Sequence, residues 1–402
     1  PEKGLPDIYT TDASMGVKNK QHLHDAGEVI LAERTTQFPA FIMLAATFNP
    51  DLAYKYGHAV GEEARMAGAG VILGPGMNIY RNGRCGRNFE YLGEDPHLAA
   101  SIIYDYVTGM QSTGTLACAT HFLGNQTEFY RRRSNSIIDE RAIMEIYTPA
   151  FKAAIDAGVA TVMTAYNQLN GEWAGESKYV ITDLLRGTLG FKGMVMSDWN
   201  SIYDWKNVIL SGQNLDMPGE DMFYIKKKPA DLVAEGVVTE KDIENMIRPT
   251  IATCIRWGLY DRYNSGKQYD KSLEAKLPAH LEISYQTAAE GAVLLRNNGI
   301  LPLATTKRVL VVGKWFDSVP HGGGAARVTG YDHHPLRQVL TDAFGGNVKF
   351  VEKPTAAELK AAEVVLCVTG TYDSESTERP FEMEKRDEKL VRLAVEPNPN
   401  TI

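Results

Sequence analysis

The sequence predicts an α/β fold, in which a (β/α) barrel is followed by a second α/β unit. Two observations indicate the barrel. Short apolar runs alternate with helical stretches over roughly the first 255 residues, and each run ends in polar residues. Unbroken apolar runs are typical of parallel strands buried on both faces, and barrel active sites lie where the strands end. A doubly wound sheet is the competing arrangement.

The first part of the chain contains four such apolar runs, which we interpret as barrel strands. They cover residues 69–76, 116–121, 160–167 and 193–199. Between them, Asn49-Pro50 predicts a helix start, with Asn as N-cap and Pro at the first helical position. Asp139 is predicted to cap a second helix, which ends near Gly158.

The second part begins after a polar, glycine-containing stretch that we interpret as a linker. The predicted domains are therefore a barrel over 1–256, a linker over 257–278 and a second α/β domain over 279–402. In that domain the apolar pattern predicts two helices and three strands and no concluding element; these are helices 283–295 and 336–344 and strands 308–313, 348–351 and 364–368.

Composition excludes several classes of protein. The 402 residues carry 42 Lys+Arg and 50 Asp+Glu, a net charge of −8 that gives no general attraction to nucleic acid or anionic lipid. No apolar run approaches the roughly 20 residues that span a bilayer. The four cysteines and the histidines are scattered, without C-x-x-C or H-E-x-x-H spacing. We therefore expect no nucleic acid, no membrane, no metal and no cofactor.

Asp198 is the strongest candidate for chemistry. It ends the run at 193–199 and precedes Trp199. A carboxylate beside an indole on a barrel rim is well placed to meet a sugar, because aromatic faces stack on the C–H faces of pyranose rings. The alternative is that Asp198 caps a helix over 202–208.

Further polar residues fall on the same predicted rim: Asp12, Arg87, His121, Arg131 and Tyr166. Each has a structural alternative. Asp12 is also compatible with a turn, Arg87 with an ion pair to Glu90 or Glu94, His121 with a core position, and 131–133 with a solvated charge run. Their shared location favours a binding site, since a hydroxyl-rich ligand needs several fixed donors and acceptors.

Two features of the second domain are candidates as well. Glu375 and Glu378 follow the strand at 364–368, where α/β ligand sites form, although surface charge is the plainer interpretation. Gly322-Gly323-Gly324 suggests a dinucleotide loop but lacks the G-x-G-x-x-G spacing, so a flexible or closely packed loop is favoured.

Taken in order, motifs along nearly the whole chain resemble glycoside hydrolase family 3, of the β-glucosidase type. Any one motif is weak, and the ordered set is highly specific. The motifs are Gly74-Pro75-Gly76-Met77-Asn78-Ile79, Gly86-Arg87-Asn88-Phe89-Glu90, His121-Phe122, Asp139-Glu140-Arg141, Met163-Thr164-Ala165-Tyr166-Asn167, Ser197-Asp198-Trp199, Met217-Pro218-Gly219, Val293-Leu294-Leu295-Arg296-Asn297 and Gly322-Gly323-Gly324-Ala325.

The resemblance implies a (β/α)8-like, TIM-type barrel followed by an α/β sandwich domain, here incomplete, with the active site between them. It implies that Asp198 is the catalytic nucleophile. It also implies that Glu375 is the acid/base. The family pattern there resembles Glu-Gly-x-Asp-Arg, in which Glu375 matches the Glu and Glu378 stands where the family has Asp. The substrate-binding positions that carry over are Asp12, Arg87, His121, Arg131 and Tyr166. Trp199 is added to them as a substrate-binding residue because of its place beside Asp198.

Two departures from the family pattern stand out. Thr120 occupies the place of the family's Lys in Lys-His-Phe, which removes a cation that grips sugar hydroxyls. The family also has an additional helix and strand before the region of Asp12 and a longer sandwich domain. The resemblance therefore implies that this chain is a fragment.

The function that the resemblance implies is retaining, exo-acting hydrolysis of terminal non-reducing β-D-glucosyl residues in β-glucosides and oligosaccharides. A retaining pair of carboxyl groups lies about 5–5.5 Å apart, with pKa values set apart by their surroundings. The alternatives are a β-xylosidase, a β-N-acetylhexosaminidase or a non-catalytic carbohydrate-binding relative; Trp199 argues against the first two. The resemblance favours a periplasmic or secreted location and is compatible with a homodimer.

Overall fold

The computed structural model describes residues 7–12, 14–18, 20–23, 27–30, 32–219 and 227–402. The chain forms two compact units. The first runs to Ala292 and also includes two later segments, Gly324–Gly330 and Ser374–Glu378. The second comprises Val293–Gly323, Tyr331–Asp373 and Arg379–Ile402.

The strands of the first unit are short, and those at its centre are buried. In chain order they are β1 (Thr10–Thr11), β2 (Lys20–Leu23), β3 (Gly27–Ile30), β4 (Val71–Ile72), β5 (Leu116–Phe122), β6 (Asn135–Ser136), β7 (Thr161–Thr164), β8 (Gln168–Leu169), β9 (Glu172–Trp173) and β10 (Met194–Met196). Every residue of β4, β5, β7 and β10 is buried, as the unbroken apolar runs predict.

The central sheet decides between the two predicted architectures. Its parallel strands follow the order β1-β4-β5-β7-β10, and Met196 continues it with a parallel bridge to Leu215. In a doubly wound sheet the strand order reverses direction part-way. Here it follows the order of the chain throughout. The TIM-barrel-like architecture is therefore confirmed.

Helices connect these strands. They are α1 (Phe41–Ala46), α2 (Pro50–Met66), α3 (Pro96–Ser112), α4 (Glu140–Ala142), α5 (Pro149–Asp156), α6 (Trp205–Ser211), α7 (Pro229–Ala234), α8 (Glu240–Arg256), α9 (Leu259–Asn264) and α10 (Leu277–Gly291). Wider π-helical turns cover Ile143–Tyr147 and Tyr179–Thr188, and 3-10 turns cover Asn88–Glu90 and Lys271–Lys276.

The predicted helix starts are confirmed. Asn49 accepts a hydrogen bond from the Leu52 amide at the start of α2, with Pro50 at the first position. Asp139 accepts one from the Ala142 amide, but the predicted single helix is interrupted before Pro149. A proline has no N–H for the ladder, so Pro149 begins a new helix instead of continuing the first.

Two predicted elements differ from the structure. The stretch 257–278, predicted as a linker, contains α9, in which Leu259 and Tyr263 are buried. The helix predicted over 283–295 is α10, which begins earlier and ends at Gly291. The domain limits at 256 and 279 remain a prediction.

The second unit is a parallel sheet with helices on both faces, as an α/β sandwich requires. Its strands are β11 (Val309–Gly313), β12 (Val348–Val351) and β13 (Val364–Val368), in the order β12-β11-β13. Its helices are α11 (Leu336–Phe344), α12 (Ala356–Ala361) and α13 (Lys385–Val395), besides a 3-10 turn at Gly345–Asn347. The two faces of β11 pack into separate apolar clusters, one including Phe344 of α11 and the other Leu359 and Ala394 of α12 and α13.

Two elements at the end of the chain were not predicted. Helix α13 follows the last predicted strand, and Thr401 forms a parallel bridge with Val365 of β13. The expectation of no concluding element is therefore wrong. Among the described helices, none combines the length and apolar character that a membrane span requires.

Candidate active site

A cavity of about 350 Å³ in the first unit brings together the eight residues for which the sequence predicts a catalytic or substrate-binding role. Its lining includes Asp12, Arg87, His121, Arg131, Tyr166, Asp198, Trp199 and Glu375. Five further residues complete it, which are Lys18, Leu73, Arg132, Met163 and Ala325.

The barrel strands explain why distant residues meet there. Asp12 follows β1, His121 lies near the end of β5, Tyr166 follows β7 and Asp198 follows β10. These strands run parallel in one sheet, so their carboxyl ends lie on one rim.

Asp198 is buried at this rim, with 7% of its surface exposed. Its Oδ2 atom lies 3.6 Å from Nε2 of His121 and accepts no hydrogen bond. The neighbouring Tyr166 hydroxyl acts to lower the pKa of the carboxyl group. Burial raises the pKa of Asp198 to about 7, against the opposing effect of the Arg87 and Arg131 guanidinium groups. In the free site this carboxyl group therefore stays protonated up to about pH 7, well above the pH at which an aspartate ordinarily ionises.

The alternative role of Asp198 as a helix cap is wrong. The helix that follows is α6, which begins at Trp205, and its N-cap is Asp204, whose carboxylate accepts from the Lys206 amide. Asp198 is instead fixed by its neighbour Ser197, whose hydroxyl donates to Asp216 at 3.3 Å and accepts from the Met217 amide at 2.8 Å.

Trp199 presents its indole at the cavity while its backbone is held on both sides. Its φ angle is +42°, and that of Asn200 is +59°, so the chain turns sharply after Asp198. The Asn200 amide donates to the Met217 carbonyl, and Arg132 donates to the Trp199 carbonyl at 2.9 Å. The residue is left 37% exposed, so its indole is available for contact with a ligand.

Glu375 reaches the cavity in an ion-paired state. Its Oε1 atom lies 2.8 Å from Nη2 of Arg131 and 3.8 Å from Nη1 of Arg87, and its Oε2 accepts from the Ala325 amide at 2.8 Å. Burial alone raises the pKa of Glu375, but the charges of Arg87 and Arg131 outweigh it and hold the pKa at about 2. The free site therefore contains Glu375 as an anion.

The pKa values of the two carboxyl groups are thus set apart, as expected for a catalytic pair. Their order is the reverse of the one expected from the sequence, in which Glu375 as acid is protonated and Asp198 as nucleophile is ionised. The charge of Glu375 also raises the pKa of Asp198, so the two groups influence each other across the cavity.

The segment that carries Glu375 is closely packed. Gly324 has a φ of +82°, and a Cβ atom there would lie 2.2 Å from Cβ of Glu375. Only glycine leaves room for this approach, so the glycine run is a closely packed loop. The Ser376 amide donates to Glu128 at 2.7 Å. Glu378 contacts Thr127 and anchors the segment outside the cavity lining.

Arg131 is a buried site residue, and the charge-run interpretation is wrong for it. It is 9% exposed, whereas Arg132 and Arg133 are exposed. Its Nη1 pairs with Glu128 at 2.8 Å, and its guanidinium lies 4.1 Å from the centre of the Tyr166 ring. These contacts hold the guanidinium in one orientation towards Glu375.

The remaining rim residues combine structural and site contacts. Arg87 is ion-paired with Glu90, as its alternative interpretation predicts, and also lines the cavity. His121 is buried, and its Nδ1 lies 3.4 Å from the Tyr91 hydroxyl. Burial and the charges of Arg87 and Arg131 lower the pKa of His121 well below its ordinary value, so it is neutral. Asp12 pairs with Lys18 at 3.4 Å.

Comparison with known proteins agrees with this geometry. Residues 22–248 match the glycosyl hydrolase family 3 N-terminal domain, and residues 292–402 match the family's C-terminal domain. The chain belongs to glycosyl hydrolase family 3.

Similar proteins in this family include enzymes of more than one specificity. A β-glucosidase from Bacteroides ovatus is 35% identical over 373 residues, which cover 87% of this chain and 48% of that protein. An exo-α-(1→6)-L-arabinopyranosidase from Bifidobacterium longum is 35% identical over 342 residues, covering 81% of this chain and 44% of that protein. The chain spans less than half the length of these two relatives.

The fold is also that of a family 3 structure. β-Glucosidase 3B from Thermotoga neapolitana, solved in complex with α-D-glucose, superposes with a TM-score of 0.87 at 27% identity. The match covers 99% of this chain and 61% of that one.

Relative to the family pattern, the structure adds a cation that the sequence reasoning missed. Thr120, in the place of the family Lys, is buried outside the cavity lining, and its hydroxyl has no hydrogen-bond partner. Lys18 lines the cavity instead, held by a hydrogen bond from its amide to the Asp12 carbonyl. In the sequence, the one indication of this cation is that a Lys follows Asp12 by six residues, in a segment that belongs to no strand or helix.

Other contributors were missed for similar reasons. Glu128 orients Arg131 from three residues earlier in the chain, and Arg132 lay within the run set aside as solvated charge. Across the part of the chain that the structure describes, no group of three or more His, Cys, Asp or Glu side chains is arranged to hold a metal ion.

Proposed function

We propose that the protein containing this chain is a retaining, exo-acting β-glucosidase that removes terminal non-reducing β-D-glucosyl residues from β-glucosides and oligosaccharides. The observation that carries the proposal is the single cavity lined by Asp198, Glu375 and the other six predicted residues. Its volume of about 350 Å³ is near the lower end of the roughly 300–1,000 Å³ of small-molecule sites. That size suits one monosaccharide unit and therefore exo action.

In the proposed first step, protonated Glu375 donates its proton to the glycosidic oxygen while a carboxylate oxygen of Asp198 attacks C1 of the sugar. The aglycone leaves as the alcohol, and a glycosyl ester forms on Asp198. In the second step, ionised Glu375 takes a proton from water, the water oxygen attacks C1, and the ester bond to Asp198 breaks. Two inversions at C1 release β-glucose.

The free site holds the proton that this mechanism needs, but on the other carboxyl. Between about pH 2 and about pH 7, Glu375 is ionised and Asp198 is protonated. We propose that the sugar reverses this. Its hydroxyl groups take hydrogen bonds from Arg87 and Arg131, which then stabilise the Glu375 anion less and let its pKa rise. A hydrogen bond from the 2-hydroxyl to Asp198 stabilises that carboxylate.

The nucleophile is tested by trapping. An activated 2-deoxy-2-fluoro-β-glucoside should leave a stable glycosyl adduct, which peptide mass spectrometry is expected to locate on Asp198. Asp216, which hydrogen-bonds Ser197 outside the cavity lining, is the internal comparison. A label on Asp216 or any other residue would overturn the assignment. Proton NMR of early product separates retention, which yields β-glucose first, from inversion.

The sugar specificity is tested with a panel of nitrophenyl glycosides. We expect the β-glucoside to be hydrolysed faster than the β-xyloside, the β-N-acetylglucosaminide and the α-L-arabinopyranoside. The last is included because of the arabinopyranosidase among the relatives. A faster xyloside or arabinopyranoside would replace glucose as the proposed glycone.

A non-catalytic carbohydrate-binding protein is the second candidate, favoured by the ion pairing of Glu375 in the free site and by Thr120 in the Lys position. Prolonged incubation with cellobiose separates the two. Release of glucose that is abolished in Asp198→Asn supports the enzyme, and binding without release supports the second candidate.

A further inference from the structure

A second cavity, of about 460 Å³, lies wholly within the second unit. It opens where β11 and β13 end, between the segments 314–323 and 369–373. In the order β12-β11-β13 the chain extends to one side of β11 and then to the other. The crevice beyond the carboxyl ends of strands at such a reversal is where open α/β sheets bind ligands.

The walls of this cavity combine aromatic and proline rings with short polar groups. Trp315, Tyr372, Pro320 and Pro335 supply rings. The hydroxyl and imidazole groups come from Ser318, Thr369, Thr371, His321 and His334. Tyr372 is 55% exposed. A wall of rings with a few convergent hydrogen-bonding groups is typical of a site for a small ring-shaped ligand.

The charge of the lining narrows the ligand class. Its side chains include no Asp, Glu, Lys or Arg, although Lys314, Asp373 and Arg379 are close by along the chain. Those neighbours are already paired, Lys314 with Glu384 at 2.9 Å and Arg379 with Asp373 at 3.0 Å. The two imidazoles are the titratable groups of the lining, and that of His334 already lies 3.6 Å from Asp332. The lining therefore holds no permanent charge for a ligand, which favours a neutral one.

The cavity is preformed. The Gly323 amide donates to the Asp373 carbonyl at 2.9 Å, which ties together the two segments that follow β11 and β13. The Lys314 ammonium lies 4.7 Å from the Trp315 ring centre, and Gly370 packs against the indole, where a Cβ atom would lie 3.4 Å from Nε1. The indole N–H has no hydrogen-bond partner.

We propose that this cavity binds a neutral saccharide, with a pyranose ring against Tyr372 and Trp315 and its hydroxyls on the serine, threonine and histidine side chains. This cavity shares no lining residue with the one that contains Asp198, and the proposal rests on the lining of the second unit alone. It goes beyond the proposed function, which needs only the first cavity.

The test is a titration of the whole protein that contains this chain, labelled with 5-fluorotryptophan and followed by fluorine NMR. The chain has five tryptophans. Trp315→Phe and Trp199→Phe each remove one signal and so assign the reporters of the two cavities. The probe is thiocellobiose, whose sulfur linkage resists hydrolysis. We expect a saturable shift of the Trp315 signal, with its own dissociation constant.

The matched variants are Tyr372→Ala in the proposed site and Tyr285→Ala, at a position 69% exposed in the first unit. Tyr372→Ala should weaken the response at Trp315 about fivefold, since one stacked ring contributes modestly to affinity. Tyr285→Ala should leave it unchanged. The undisturbed signals of the other tryptophans check the fold of each variant.

The outcomes separate this inference from the proposed function. If the Trp199 signal shifts while the Trp315 signal stays fixed, or moves only linearly with ligand concentration, the second site is overturned. The catalytic proposal is unaffected by that result. A saturable Trp315 shift without a Trp199 response supports the second site and contradicts the catalytic one. A Trp315 signal that responds to phenol and not to thiocellobiose overturns the saccharide assignment.

Discussion

Nη2 of Arg131 lies 2.8 Å from Oε1 of Glu375, so the carboxyl assigned as the general acid is bound to a cation in the free site. Arg87 approaches the same oxygen at 3.8 Å. Both guanidinium groups are also the donors proposed to bind sugar hydroxyls. Under the proposed mechanism, substrate and Glu375 compete for the same hydrogen bonds, so that the arrival of the sugar is coupled to the release of the acid.

The first prediction concerns the pH dependence of kcat/KM, which reports the free enzyme. The mechanism needs one proton on the carboxyl pair. That proton is present between about pH 2 and about pH 7, and is lost as pH rises through the pKa of Asp198 at about 7. We expect kcat/KM to fall above about pH 7. A kcat/KM that stays level up to pH 9 would contradict the raised pKa of Asp198.

The second prediction locates that proton. Carbon-13 NMR of labelled aspartate should show the Asp198 carboxyl titrating near pH 7 in the wild type. In Glu375→Gln it should titrate at lower pH, because the negative charge that raises the pKa is gone while Arg87 and Arg131 remain. Glu378→Gln, outside the cavity lining, is the control and should leave the titration unchanged. An equal shift in both variants would count against direct coupling between the carboxyl groups.

The third prediction concerns the position of Glu375. Gly324→Ala places a Cβ atom 2.2 Å from Cβ of Glu375, so the acid must move. We expect kcat to fall by about 100-fold, as misplacing a catalytic group by about 1 Å does.

Gly158→Ala is the matched control for this variant. Gly158 has a φ of +79°, close to the +82° of Gly324, but nothing lies within 4 Å of its Cβ position. It therefore carries the same backbone strain without displacing Glu375, and kcat should be retained. Equal losses in both variants would assign the effect to strain alone.

The fold could be predicted well where burial and chain order carry the information. The barrel strands are buried on both faces, so β5 and β7 stand out as unbroken apolar runs. Parallel strands bring their ends to one rim, which is why Asp12, His121 and Asp198 could be grouped before any distance was known.

The elements that were missed lack that signal. Helix α13 carries charge along most of its length, and its apolar contacts with the core come from Leu390, Leu393 and Ala394. The end of α10 was misplaced because residues 293–295 are apolar, yet Leu295 is 91% exposed. Burial of these side chains depends on tertiary contacts that a local pattern does not contain.

In the site, residue identity was predictable and electrostatics were not. The resemblance implies a role for Glu375, but its pKa depends on two guanidinium groups that are far away in the sequence. Lys18 likewise enters the cavity because its amide donates a hydrogen bond back to the Asp12 carbonyl. This turn belongs to no helix or strand, so no periodic pattern in the sequence predicts it.

The fourth prediction concerns stability. His280 is buried, with Nδ1 2.9 Å from Glu63 and Nε2 2.9 Å from Glu62, and it connects α10 to α2. Burial lowers the pKa of His280, but the hydrogen bonds and charges of the two glutamates outweigh it and raise the pKa above 6.5. The stabilisation is therefore complete below about pH 6.5 and is lost as pH rises through the folded-state pKa.

His280→Gln should lower the free energy of unfolding at pH 6 by about 3–5 kcal/mol, because it removes the cation from a buried ion-paired group. Denaturant unfolding between pH 6 and 9 should show the gap to wild type narrowing as pH rises. The exposed His97→Gln is the control, with no such change expected. A gap that stays constant across this range would mean that His280 is neutral in the folded protein.

The fifth prediction concerns the cation of the sugar site. If Lys18 supplies the charge that Thr120 lacks, Lys18→Met should raise KM about tenfold with little change in kcat, as the loss of one hydrogen bond to a charged group does. Thr120→Lys in the same chain should restore part of the affinity, because it returns a cation at the family's position. The exposed Lys206→Met is the control. A Lys18→Met enzyme with unchanged KM, or one that Thr120→Lys fails to improve, would show that the two positions do not share this task.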